Sequence, residues 1–452
     1  MLSTKAGKMV STEVQSDMQT KLNLITGHTI RDKNFKFTSL AHLLNENSLK
    51  ECFHMLKKNK APGLDQVTYE EYETYLNTNI QKLVKKMKAG KYYPQPVRRV
   101  YISKGEGNKR PLGIPALEDK IVQLGITRIL NAIFEPNFLD CSYGFRTKRS
   151  CHQALKRLDN SIMTKPINHI IDADIRSFFD NVDHDWMMRM LKEKIADKNL
   201  LKIIRKFLKA GVMEEGEFYP TEEGTPQGGV LSPTLSNIYL HYVVDLWMEK
   251  IIKRDMQGYV ELLRYCDDLV ILVQCKNEAE KILKELEERL NKFGLDLSKE
   301  KIRLIEFGRY ARINAKDKKP DTFDFLGFTH FCDITRKGNF KVGRKTRRKK
   351  FNTSLKKMKG WLKAVRNAVK IREWWKVLAA KLRGHYEYYG ISGNHSGIRA
   401  FYWQTCKLVF KWINRRSQKK SMNWKQFINY LKCHPLPLPK IKHNIYIFNG
   451  NV

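Results

Sequence analysis

The most restrictive feature of the chain lies between residues 260 and 273, where the apolar runs Leu262-Leu263 and Leu269-Val270-Ile271-Leu272-Val273 flank Arg264-Tyr265-Cys266-Asp267-Asp268. Apolar runs broken by a short polar segment predict a strand, a tight turn and a second strand. Two adjacent carboxylates at such a tip repel one another unless water solvates them or a cation lies between them. A second acidic element is the alternating segment His169 to Ile175, in which Asp172 and Asp174 share one face and Ile171, Ala173 and Ile175 the other. Three carboxylates on two neighbouring strands can hold two divalent cations about 3.5 to 4 Å apart. Magnesium suits such an all-oxygen site. For Asp172, Asp180, Asp183 and Asp185 the simpler expectation is helix capping or surface solvation, and the metal role is assigned to Asp174, Asp267 and Asp268.

Charge narrows the partners. The 452 residues hold 84 Lys and Arg against 47 Asp and Glu, a formal charge of +37, which nucleic acid explains better than any other partner. From Arg336 onward there are 30 basic residues and two acidic ones, Glu373 and Glu387, so +28 of that charge lies in the last quarter. The same stretch carries Trp361, Trp374, Trp375, Trp403, Trp412 and Trp424. Basic residues interleaved with aromatics suit phosphate contact and base stacking, although any single Trp is better read as core. The eight cysteines form no Cys-x-x-Cys pair, so neither a zinc cluster nor a disulfide framework is expected. Without a signal-like or membrane-length apolar run, a reducing cytoplasmic location is expected.

Periodicity predicts helices over Leu40 to Lys58 and Tyr69 to Ala89, separated by the turn Lys60-Ala61-Pro62-Gly63-Leu64-Asp65. A strand from Val97 to Ser103 leads into the hairpin 104–110, with a second arm ending at Pro115. Helices are expected over Glu118 to Phe134, Cys151 to Asn160, Asn237 to Ile251 and Asn277 to Phe293. Phe323 to Phe328 reads as a short aromatic hairpin, and beyond Arg336 the pattern is almost wholly helical.

Several segments, in order, resemble the bacterial-type reverse transcriptase and maturase family encoded by group II introns. They are the turn 60–65, Arg110-Pro111-Leu112-Gly113-Ile114-Pro115, Ser142-Tyr143-Gly144-Phe145-Arg146, Asp174-Ile175-Arg176-Ser177-Phe178-Phe179-Asp180, Gly224-Thr225-Pro226-Gln227-Gly228-Gly229, and Tyr265-Cys266-Asp267-Asp268. The resemblance implies an α+β right-hand polymerase with fingers, an antiparallel palm sheet and a C-terminal all-helical thumb or maturase domain. The implied division is a polar leader (1–35), N-terminal extension and fingers (36–170), palm with some fingers segments (171–335), helical thumb and maturase domain (336–434) and tail (435–452).

Carried over residue by residue, the resemblance makes Asp174, Asp267 and Asp268 the catalytic carboxylates, with Ile175 beside them at the metals. Two Mg²⁺ ions are expected, with Mn²⁺ a possible substitute. Lys104 and Arg110 match fingers cations that close on the triphosphate. Phe179 matches the side chain that blocks a ribose 2′ hydroxyl, with a core role as the competing expectation, since Phe178 and Phe179 cannot both line the site. Gln227 matches the residue beside the incoming base pair, Ile175 belongs to the same nucleotide site, and Lys301, with Lys299 as a rival, matches a basic residue that protonates pyrophosphate. Gly228 and Gly229 would permit close backbone approach to nucleic acid. The basic tail, clearest at residues 382–390, resembles the region that grips template-primer and intron RNA, by shape and phosphate contacts rather than base edges.

The implied function is RNA-directed DNA polymerisation together with binding of the host intron RNA for splicing and mobility. The implied partners are that RNA, an RNA template with a DNA primer, dNTPs and target DNA, and no membrane. Cys266 stands where the family usually has alanine, adding an oxidisable atom to the turn. The endonuclease module of some relatives has no counterpart here, so second-strand cleavage is not expected. The alternatives are a freestanding reverse transcriptase of retron, diversity-generating or defence type, and an RNA-binding splicing factor that needs no polymerisation.

Overall fold

The computed structural model describes residues 18–105, 108–225, 228–314, 319–416 and 421–446. The first predicted helix begins later than its periodicity suggests: Ala41–Leu43 is a single 3₁₀ turn, and an Asn45–Ser48 capping box starts the helix Glu46–Met55. The second is two helices, Tyr69–Thr74 and Leu76–Lys88, because Tyr75 leaves helical geometry at φ −119°, ψ 31°. Strands β1 (Val97–Gly105) and β2 (Asn108–Ile114) form the expected hairpin.

β3 (His169–Arg176) is the axis of the second sheet. The short strands β4 (Val212–Glu214) and β5 (Glu217–Tyr219) instead extend the first hairpin, giving the order β2-β1-β4-β5. A long helical run then starts at Ser232–Leu240 and passes through two π turns, His241–Asp245 and Met248–Ile252. β6 (Val260–Tyr265) and β7 (Asp268–Val273) follow, then the helix Lys276–Lys292, β8 (Asp296–Leu297) and β9 (Arg303–Glu306). The sheet order is β6-β7-β3-β8 with β9 also on β3, every pairing antiparallel.

The two faces of this sheet are covered differently. Ile171, Ala173 and Ile175 enter the large core shared with the N-terminal helices, Leu117–Phe134 and the 232–255 run. On the other face Ile170, Leu263, Val270 and Leu272 pack under the helix Cys151–Thr164 and three strands, β10 (Phe323–Phe325), β11 (Phe328–Ile334) and β12 (Phe340–Thr346). Period-two alternation places Asp172, Asp174 and Asp268 on this same face. They lie where its cover ends and a cleft begins.

β12 corrects the expectation that the chain is almost wholly helical beyond Arg336, since helix resumes only at Arg348. Its Lys and Arg content imitated a solvated segment, yet Arg344 is buried against Asp159 on the helix Cys151–Thr164. The last four helices, Arg348–Ala368, Ile371–Tyr389, His395–Ile413 and Trp424–Cys433, enclose a core that includes Leu378, Leu382, Phe401, Val409 and Phe427. Trp374 and Trp412 are buried there and Trp361 and Trp375 partly so, which leaves Trp403 and Trp424 exposed. Four of the six tail tryptophans thus serve packing first. Among the described residues no helix is long and apolar enough to cross a membrane.

Candidate active site

β6 and β7 close on a two-residue turn, Cys266-Asp267, with Tyr265 paired to Asp268 across it. Cys266 takes the left-handed conformation the turn requires, at φ 60°. On the neighbouring strand Asp174 stands directly opposite Asp268, a spacing of about 5 Å between Cβ atoms. Asp267, at the turn itself, completes the group, and its carbonyl accepts from the Ile175 amide at 3.5 Å. Ile175 is buried behind the sheet, so only its backbone can face the carboxylates.

The cluster is electrostatically uncomfortable. Burial, then Asp172, Asp174 and Asp267, pushes the Asp268 carboxyl up to about 8 against the pull of Lys301. Burial and Asp174 also raise Asp267, with Arg110 acting in the opposite direction. Two cations partly relieve the strain, the Lys301 ammonium resting on Asp174 and Arg303 Nη2 lying 2.9 Å from Asp172. As placed, no three acidic, His or Cys side chains among the described residues are drawn tightly enough to enclose an ion. The donor chemistry nevertheless fits one, because all three groups are carboxylates facing one cleft with an unmet need for positive charge. That cleft has a volume of about 960 Å³, and Arg110, Phe145, Phe179 and Lys350 also line it.

Beneath the turn lies a buried arginine. Arg264, 0% exposed, donates from Nε and Nη2 to both oxygens of Asp245 at 2.7 and 2.6 Å, from Nη1 to Asn237 Oδ1 and the Cys266 carbonyl, and from Nη2 to Ser142 Oγ. All five of its N–H groups are therefore used. Asp245 is offered at the end of the first π turn, an irregularity often found at functional sites. Gly144 is pressed against the same turn, since a Cβ there would lie 2.6 Å from the Cys266 nitrogen. No side chain larger than hydrogen fits.

Residues 102–330 match the reverse transcriptase (RNA-dependent DNA polymerase) family. The chain belongs to the reverse transcriptase family. It is 35% identical over 301 residues to the group II intron-encoded protein LtrA of Lactococcus lactis subsp. cremoris, covering 63% of this chain and 50% of LtrA. Protein YkfC of Escherichia coli (strain K12) is 31% identical over 329 residues, 65% of this chain and 86% of YkfC. The mitochondrial nuclear intron maturase 4 of Arabidopsis thaliana is 32% identical over 139 residues, 29% of this chain and 16% of that protein. The chain spans about half the length of LtrA. Polymerases of this family use divalent metal ions.

Of the residues expected in the active site, Asp174, Asp267, Asp268, Arg110, Phe179 and Lys301 all line the cleft. Lys104 lies on β1, but its side chain falls outside the described residues, as does Gln227 altogether. Phe178 and Phe179 are both buried in the large core, and of the two only Phe179, 9% exposed, also lines the cleft. Asp183 caps the helix His184–Lys192 through the Trp186 amide. Asp185 pairs with Arg205.

Gly228 lies close to β2, where a Cβ would strike the Gly113 carbonyl oxygen at 2.7 Å. Cys266 is buried, and burial with the Asp267 charge pushes its thiol well up, keeping it protonated. Sequence reasoning missed the roles of Arg264, Asp245 and Arg303. A charged residue inside the apolar run Val260-Glu261-Leu262-Leu263-Arg264, and another inside Val243-Val244-Asp245-Leu246-Trp247, were the available signals.

Proposed function

We propose that the chain is an RNA-directed DNA polymerase, a nucleotidyltransferase that also binds group II intron RNA to promote its splicing and mobility. The observation that carries the enzymatic half is Asp174 facing Asp268 across β3 and β7, with Asp267 at the turn, in a cleft edged by cations. Asp174, Asp267, Asp268 and the Ile175 backbone would hold two Mg²⁺ ions, which when bound would activate the primer 3′ hydroxyl and stabilise the pyrophosphate leaving group. The new bond joins the 3′ oxygen to the α-phosphorus, and the α–β phosphoanhydride bond breaks. Arg110 and Lys104 close on the triphosphate, Lys301 gives its proton to the departing pyrophosphate, Gln227 sits beside the base pair, and Phe179 excludes a 2′ hydroxyl.

The fingers are assigned to 36–170, the palm to 171–335, the thumb and maturase region to 336–434 and the tail to 435–452. The last four helices, with exposed Lys356, Lys357 and Lys359, supply a surface for duplex and folded RNA. The intron-encoded and maturase relatives favour intron RNA as the dedicated ligand, and a cytoplasmic, nucleic-acid-associated location goes with that reading. Target DNA would be engaged during mobility.

The test is primer extension on an RNA template with Mg²⁺. Wild type extends and Asp267→Ala does not; failure of the wild type, or normal extension by the variant, ends the enzymatic reading. Sequencing the RNA crosslinked to the protein decides the second half. One enriched group II intron supports the maturase role, and scattered transcripts leave a freestanding reverse transcriptase.

A further inference from the structure

Phe145 is an aromatic side chain standing in the wall of the acidic cleft. It is 59% exposed, and it lines the same space as Tyr265, Asp267 and Arg110. Its backbone is left-handed, φ 56°, a conformation that costs a non-glycine residue about 1–2 kcal/mol and that gathers at functional sites. Among the described residues no ring or cation is recorded against the phenyl face. Packing therefore gives no account of a large apolar side chain here.

The loop on either side is tied down. Arg146, behind it, donates to the Leu139 and Ser142 carbonyls and pairs with Glu135. Gly144, before it, accepts from Asn237 Nδ2 at 2.8 Å and sits against the Cys266 nitrogen. Ser142 Oγ takes a hydrogen bond from Arg264, the residue that also holds the acidic turn. The backbone that carries the ring is thus tied to the acidic turn through two hydrogen bonds and one backbone contact.

On the polymerase reading above, we propose that Phe145 is a stacking platform for a nucleobase of the substrate complex. An uncharged, rigidly mounted ring has nothing to offer a phosphate, whereas every base presents a π face of similar extent. The tie to the acidic turn gives the stacked base a defined height above the site of bond formation.

The experiment compares full-length wild type, Phe145→Ala and Phe145→Tyr in primer extension. Base emission is read separately with 2-aminopurine placed in the template or in a non-hydrolysable incoming nucleotide. Because the ring is exposed, Phe145→Ala keeps the wild-type melting temperature. It loses roughly 5- to 150-fold in kcat/KM, the equivalent of one base–aromatic stack, while Phe145→Tyr stays within about twofold of wild type. Emission rises in the Phe145→Ala complex, in the template arm if the platform serves a template base and in the nucleotide arm if it serves the incoming one. Emission equal to wild type in both arms overturns the proposal whatever extension shows. A wild-type chain that extends no primer overturns the polymerase reading itself.

Discussion

Arg264 and Arg344 are both withdrawn from water, and each faces a buried aspartate, Asp245 and Asp159. Arg264 spends every N–H on a partner, whereas among the described residues Arg344 Nε and Asp159 Oδ2 have none. The first pair lies under the acidic turn and the second joins β12 to the helix Cys151–Thr164, with Arg344 Nη1 also donating to the Ser392 carbonyl. Desolvating two charges is repaid only when geometry is complete. Complete satisfaction fixes one arrangement of the turn that carries Asp267 and Asp268. The partly satisfied pair tolerates adjustment where β12, which leads into the helical tail, meets the helix Cys151–Thr164.

The comparison is tested hardest at Arg264. Arg264→Met leaves Asp245 buried with only the His241 imidazole, 3.9 Å away, beside it, and is expected to lower unfolding stability by about 3–5 kcal/mol and to abolish measurable extension. Adding Asp245→Leu removes the orphaned charge, so chemical denaturation should show most of that stability regained while extension stays low, since the Cys266 carbonyl still lacks its donor. Recovery of activity in the double variant would make the pair mere core filling. Arg344→Met orphans Asp159 and should also cost about 3–5 kcal/mol. Here kcat for the residual folded enzyme on a short primer-template should remain near wild type, and a loss as deep as at Arg264 would erase the distinction.

The two arginines also mark where the sequence was readable. β3, β6 and β7 were legible because alternation and apolar runs are what a half-buried or buried strand requires, and two carboxylates inside such runs have few structural excuses. Arg264 was visible in the same motif, yet its role depended on Asp245, which reaches it only because the helix from Ser232 slips into a π turn at residues 241–245. No period of 3.6 residues announces that slip. Arg344 sat in a basic run whose local statistics point to a solvated surface, so β12 was read as the edge of the helical region. The breaks at Ala41–Leu43 and Tyr75 were hidden for a related reason: apolar spacing continued across them while the backbone changed. Phe179, Arg110 and Lys301 entered through family resemblance rather than from their own patterns.

A third buried carboxylate sharpens the contrast because among the described residues it is paired with no cation. Asp119 accepts from the Tyr92 hydroxyl at 2.5 Å and the Gln95 amide at 2.9 Å, and burial pushes its carboxyl up to about 7 from 3.8. A folded-state value above the unfolded one means the native state holds the proton more tightly. The stability this contributes is full below about 3.8 and is lost as pH rises through about 7. Asp119→Asn keeps the shape and cannot ionise, so its stability relative to wild type should grow from about pH 4 to about pH 7, by at most about 1.4 kcal/mol per pH unit, and level off above that. Thermal melts at four pH values would show it, and a constant difference would mean Asp119 is ionised throughout.

The smallest expected effects lie on the helix Arg348–Ala368, at three lysines held in water rather than in a buried pair. Lys356, Lys357 and Lys359 face solvent. Replacing all three by alanine removes no core contact, so the melting temperature should stay within about a degree or two. If each lysine meets one phosphate, the slope of log affinity for structured RNA against log salt should flatten by roughly 0.7 to 0.9 per lysine. The loss should be similar for different RNA sequences, since phosphates carry no base identity. An unchanged slope would place the RNA on another face of the basic region, and a loss confined to one RNA would mean that these lysines read its shape.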